Sequence, residues 1–99
     1  MIYHVTSQKS WDEALEKGLY EAPSLQSEGF IHTSSEQQVA GVLDRYYKNV
    51  HDLILLHIDE GKLTAELKYE LAPSVNEMFP HIFGAINIDA VSRISKISG

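Results

Sequence analysis

Two hydrophobic periods alternate along this chain, and the changes from one to the other mark out its elements. At the start, Ile2, His4 and Thr6 fall on one side and Tyr3 and Val5 on the other, the two-residue repeat of a strand over 1–6. Ser10-Trp11-Asp12-Glu13 has the form of a capping box and Gly18 is a stop signal. Together they predict a short helix over 11–17 with Trp11, Ala14 and Leu15 as its buried stripe. From 19 to 28 no period is sustained and Pro23 intervenes, which predicts an irregular loop anchored by Tyr20. Gly29 to Thr33 returns to strand character with Phe30 and His32 sharing a face. Ser34 or Ser35 then caps a helix over 35–48, Gln37 or Gln38 completes the box, and Val39, Val42, Leu43 and Tyr46 form its apolar face.

The second half reads mostly as sheet. Leu53 to Ile58 is almost wholly apolar, which suits a central strand buried on both faces. Asp59 to Lys62 breaks it, Leu67 to Glu70 predicts a short strand, and Pro73 to Phe79 a loop. Pro80 to Gly84 predicts a further strand, and Val91 to Ile97 a last, half-exposed one. Two early helices followed by a late sheet define a single small α+β domain over residues 1–99.

Charge and composition narrow the function classes. Eight basic residues against fourteen acidic ones give a net charge of −6, which disfavours nonspecific binding to nucleic acid or anionic membrane. The basic residues are scattered. Without cysteine the chain has no disulfide, thiolate nucleophile or thiolate metal ligand. The first residues lack a basic segment leading into an apolar run, and Leu53 to Leu56 is the longest apolar stretch, so a cytoplasmic protein that does not span a membrane is expected.

Three histidines carry the candidate chemistry: His4, His32 and His81, each in an apolar, strand-like segment. A buried imidazole needs partners for both ring nitrogens. Three of them among Ile, Val and Phe predict a polar cleft in an apolar wall, the form of a small-molecule site. His4 shares a face with Thr6, and Thr33 and Ser34 open the second helix, where an anion would be favoured unless the serines serve as plain caps. Pro80 fixes the chain ahead of His81. His57 reads as structural and His51 as surface. A zinc hydrolase built on His4, His32 and His81 is a third reading, without the paired spacing that such sites show.

The phrases Ile2-Tyr3-His4-Val5-Thr6, Gly18-Leu19-Tyr20, Glu28-Gly29-Phe30-Ile31-His32-Thr33-Ser34, Leu55-Leu56-His57-Ile58-Asp59, Tyr69-Glu70 and Phe79-Pro80-His81-Ile82-Phe83-Gly84 resemble a bacterial family, domain of unknown function 952, from end to end. At fold level that family resembles the ADP-ribosyltransferase superfamily, which implies a split sheet around an NAD site. Tyr3-His4-Val5-Thr6 is similar to its first-strand element, implying that His4 holds a ribose hydroxyl. Glu28-Gly29-Phe30-Ile31-His32 is similar to its second, with His32 in place of a Tyr that stacks on nicotinamide. For the third element, a strand Glu, the resemblance offers Glu70 or Glu77, or His81 in that place. The expected site is therefore a cleft of His4, Thr6, His32, Thr33, Ser34 and His81 walled by Tyr20 and Tyr69. NAD or ADP-ribose is its ligand, no metal is needed, and His4, His32, Glu70 and His81 carry any transfer chemistry. The competing expectation is a catalytically inert module that binds a peptide or metabolite; any protein partner is left open.

Overall fold

Leu53–Ile58, the most apolar run of the chain, forms β4 at the centre of a three-stranded antiparallel sheet. Its neighbours are β1 (Ile2–Ser7), with Val5 opposite Leu55, and β8 (Val91–Lys96), with Ile94 opposite Leu56. The computed structural model describes residues 1–97. A second antiparallel sheet has the order β3-β6-β5, from Ile31–His32, Glu77–Ile82 and Leu67–Ala72. A two-stranded ribbon pairs β2 (Leu19–Tyr20) with β7 (Ile86–Asn87). The whole is a small single α+β domain. One core cluster joins the sheets, and Ile2, Ile31, Ile54, Leu56, Ile58, Ile82 and Ile86 are almost completely buried in it. Among the described residues no helix is long and apolar enough to cross a membrane.

Helix α1 spans Gln8–Lys17, three residues earlier than the capping signal at Ser10 predicts. Ser7 is the actual cap: its Oγ accepts from the Ser10 N–H at 3.0 Å. The strand thus passes directly into the helix, and Ser10 falls inside its first turn. Trp11 and Ala14 are buried as expected, whereas Leu15 faces solvent, on the side of α1 turned away from β1 and β2, its main supports. The predicted loop 19–28 holds β2 and a further helix, α2 (Pro23–Glu28), with Pro23 in its first turn. Gly29 ends α2 at φ 89°, a left-handed conformation, so the strand expected from Gly29 begins only at Ile31.

Helix α3 (Glu36–Tyr46) carries the predicted capping box of Ser35 and Gln38. It buries none of its residues fully: Val39, Val42 and Leu43 are half-buried and Tyr46 is exposed. The predicted loop 73–79 is shorter than expected, because β6 already starts at Glu77 and Asn76 turns the β5–β6 hairpin at φ 54°. Pro80 sits inside this central strand without breaking it. Its carbonyl faces Thr33, so its missing N–H faces that side too, and no hydrogen bond of the β5 ladder is lost.

The core places Leu56 between two strands in full burial, and its truncation leaves a cavity no neighbour can fill. Leu56→Ala is expected to lower the unfolding free energy by about 2–5 kcal/mol, measured by urea denaturation, without changing the denaturant slope.

Candidate functional site

Two contacts join the sheets at one end of β1. The backbone of Tyr3 exchanges both hydrogen bonds with Ser34, each 2.8 Å, and the His4 ring donates from Nδ1 to the His32 carbonyl at 2.6 Å. Beyond them a cleft of about 670 Å³ opens along β1, roofed by Val42, Arg45 and Tyr46 of α3 with Tyr47 and Val50. Its other walls come from Tyr20, Ala22 and Pro23, and from Ala72, Val75, Phe79 and His81 of the second sheet's hairpin. The incomplete burial of α3 follows, since its apolar side borders this space rather than a packed core.

The polar floor is a chain of hydrogen bonds. A carbonyl only accepts, so His4 Nδ1 carries the ring proton. Burial pushes the His4 pKa down to about 4, outweighing the bond to the His32 carbonyl, and the ring is neutral at pH 7. Nε2 is therefore an acceptor, and the Tyr20 hydroxyl donates to it across 2.8 Å. Thr6 Oγ1 lies 2.9 Å from the same hydroxyl, whose single proton is already committed, so Thr6 donates to Tyr20. Burial raises the Tyr20 pKa and keeps it protonated.

An antiparallel strand directs the backbone pairs of successive residues to opposite sides. Tyr3 directs its pair to Ser34, so His4 and Thr6 face β4, and Val5 faces the side of the cleft. Among the described residues nothing bonds the N–H or C=O of Val5. An unpaired backbone donor and acceptor, side by side, persist where water or a ligand reaches them. Arg45 is the cation of this cleft; it lies 5.7 Å from the Tyr46 ring and has no carboxylate partner among the described residues.

The predicted site residues divide into three groups. His4, Thr6, Tyr20, His32, Thr33, Ser34 and His81 all border the cleft. Glu70 does not border it but reaches it through His81, whose Nδ1 is 2.7 Å from Glu70 Oε1. Tyr69 lies on the opposite face of β5, bonded to Glu60 at 2.6 Å, which pushes its pKa up to about 12. His32 and His81 are cross-strand partners with rings 5.3 Å apart, and Phe30 stacks on His81 at 4.0 Å. His32 Nε2 pairs with Glu28 at 3.0 Å. His4 meets His32 only through the backbone carbonyl, and both of its ring nitrogens are engaged. Among the described residues no group of three histidines or carboxylates is arranged to hold a metal. Of the donors ahead of α3, four are already engaged: Thr33 N–H and Oγ1 on the Pro80 carbonyl, Ser34 N–H on Tyr3, and Ser35 N–H on Gln38.

Sequence reasoning missed Val5, Arg45 and Tyr47. Arg45 follows Val42 by three positions, a signal that both share one helix side. Val5 carries no local signal, because its open edge depends on a bridge to Ser34, distant in the chain.

The model of a protein family described as "Protein of unknown function (DUF952)" matches residues 5–94. The chain belongs to that family. Among solved structures this DUF952 domain is similar to the crystal structure of protein CC0527 from Caulobacter crescentus, with a TM-score of 0.89 and 26% identity over 98% of this chain and 85% of that one. The solution NMR structure of CC0527 matches with a TM-score of 0.83 at the same identity, over 98% of this chain and 84% of that one. No curated protein matches the chain.

Protonation of His4 couples the floor to stability. The unfolded chain takes up this proton near pH 6.5 and the folded chain only near 4, so the unfolded state binds more protons in between. The stabilisation is complete above pH 6.5 and is lost as pH falls toward 4, by up to about 3 kcal/mol. In urea denaturation at pH 7.5, 5.5 and 4 (spanning the usual histidine range, roughly 6.5, and below), wild type is expected to lose its lead over His4→Gln as pH falls. A gap that stays constant across this range would contradict it.

Proposed function

We propose that the cleft binds NAD, ADP-ribose or a related nucleotide. The observation that carries this reading is the open backbone pair of Val5 inside a mostly apolar cleft, beside the neutral His4–Tyr20–Thr6 chain. One N–H and one C=O match a carboxamide or the amide-like edge of a base, which also offers one acceptor and one donor. The Tyr20 hydroxyl retains a free lone pair for a ribose hydroxyl, and Arg45 at the roof supplies a charge-assisted donor for phosphate. The cleft volume, about 670 Å³, falls in the range of ligand sites. The similarity of Tyr3–Thr6 and Glu28–His32 to the strand elements of ADP-ribosyltransferases supports the same ligand class and extends it to ADP-ribosyl-transfer chemistry.

The inert peptide-binding module has less support. A peptide added as a strand draws on several successive backbone pairs, whereas β1 leaves Val5 open between the Ser34 bridge and the start of α1. The metal-hydrolase reading loses its basis with both His4 nitrogens engaged.

Titration of NAD, ADP-ribose and nicotinamide, followed on the histidine rings by two-dimensional NMR, tests the proposal. Saturable shifts of His4, His32 and His81 are expected with all three. Arg45→Ala is expected to weaken the two phosphate-bearing ligands about tenfold, the loss of one charge-assisted contact, and to leave nicotinamide unchanged. Absence of shifts at millimolar ligand would contradict the reading.

A further inference from the structure

The second sheet holds a feature that ligand binding alone does not use. On its cleft-side face His81 and Glu70 form a pair in which the ring is fixed from three sides. Glu70 Oε1 lies 2.7 Å from Nδ1, Phe30 stacks on the ring at 4.0 Å and an interplanar angle of 18°, and His32 meets its edge at 5.3 Å. The charged and titratable groups around it are Glu70 and Lys68 of β5, and His32 of β3 with its partner Glu28. A carboxylate only accepts, so in the neutral ring the proton sits on Nδ1 and the lone pair on Nε2. Among the described residues every buried side-chain nitrogen and oxygen has a hydrogen-bond partner, and Nε2 of His81 has none, so this atom is not fully buried. His81 borders the cleft, with its side chain 12% exposed.

We propose that His81, held by Glu70, is a general base that takes a proton from water as that water attacks a bound nucleotide. The inference rests on the reading of the cleft as a nucleotide site and gives that site a reaction, hydrolysis. Water is the nucleophile because the chain has no cysteine and no hydroxyl is bonded to His81 among the described residues. A lone pair of the water oxygen forms the new bond to the electrophilic carbon or phosphorus. The leaving group departs with the electron pair of the bond that breaks. The water proton passes to Nε2 and from there to the leaving group or to solvent. Glu70 is a positioning residue: it fixes the tautomer and stabilises the imidazolium, as the carboxylate does in other His–carboxylate pairs.

Three readouts test this on the full chain. Long-range proton–nitrogen spectra of the ¹⁵N-labelled protein should show the neutral His81 ring with its proton on Nδ1. Acylation by diethyl pyrocarbonate, mapped by peptide mass, should modify His81 and slow about tenfold in Glu70→Gln, with partial return in Glu70→Asp and His32 unchanged as internal control. Hydrolysis of NAD or ADP-ribose should fall on the order of 10²-fold or more in kcat in His81→Gln, with KM kept. A proton on Nε2, an acylation rate indifferent to Glu70→Gln, or full turnover by His81→Gln would overturn the inference. Nucleotide binding without hydrolysis by wild type would overturn it and leave the binding proposal standing, whereas absence of binding would remove that proposal itself.

Discussion

One buried imidazole holds the two sheets of this domain in register. His4 donates to the His32 carbonyl on one side and accepts from Tyr20 on the other, so a β1 side chain fixes both β3 and β2. Both bonds are sheltered from bulk water, since His4 is buried. Removing the ring leaves a carbonyl and a hydroxyl unsatisfied in the interior, the costly direction of hydrogen-bond loss. The Tyr3–Ser34 bridge lies beside it, and the core cluster packs between the same two sheets.

The cleft is a consequence of that joint. Where the bridge ends, β1 continues along β4 while β6 continues along β5, and no strand fills the gap between the sheets. Val5 falls in the gap with its backbone pair unclaimed, and α3 spans the opening with a half-buried apolar side. A domain of this size gains most of its stability from its core, here the Ile and Leu side chains of β1, β4 and β6. Seating α3 over the cleft leaves its apolar side half-buried. An apolar-walled cleft with ordered polar groups on its floor has the form of a small-molecule site.

Much of the fold was legible because it is local. The two-residue alternation of 2–6, the apolar run 53–58 and the Ser35–Gln38 box each express a period or a cap within a few positions, and each element lies where they put it. The departures also have local causes. Pro23 reads as a loop residue but suits the first turn of a helix equally well, and Ser7 outcompeted Ser10 as a cap because it already stands at the strand's end. For the cleft, the three histidines all border it, but their arrangement was not readable. His4 uses His32's carbonyl rather than its ring, and Tyr69 points away since it alternates with Glu70 along β5. The Val5 edge exists only through pairings between residues far apart in sequence, which no pattern within the chain encodes.

Hydrogen exchange at a single amide addresses the central claim, that the two-sheet joint leaves the edge of β1 open at Val5. The N–H groups of His4 and Thr6 are bonded to β4 and should exchange slowly; that of Val5 should exchange much faster in the free protein and slow down when nicotinamide is added at saturation. A Val5 amide as protected as its two neighbours in the absence of ligand would show the edge to be closed and would contradict the account.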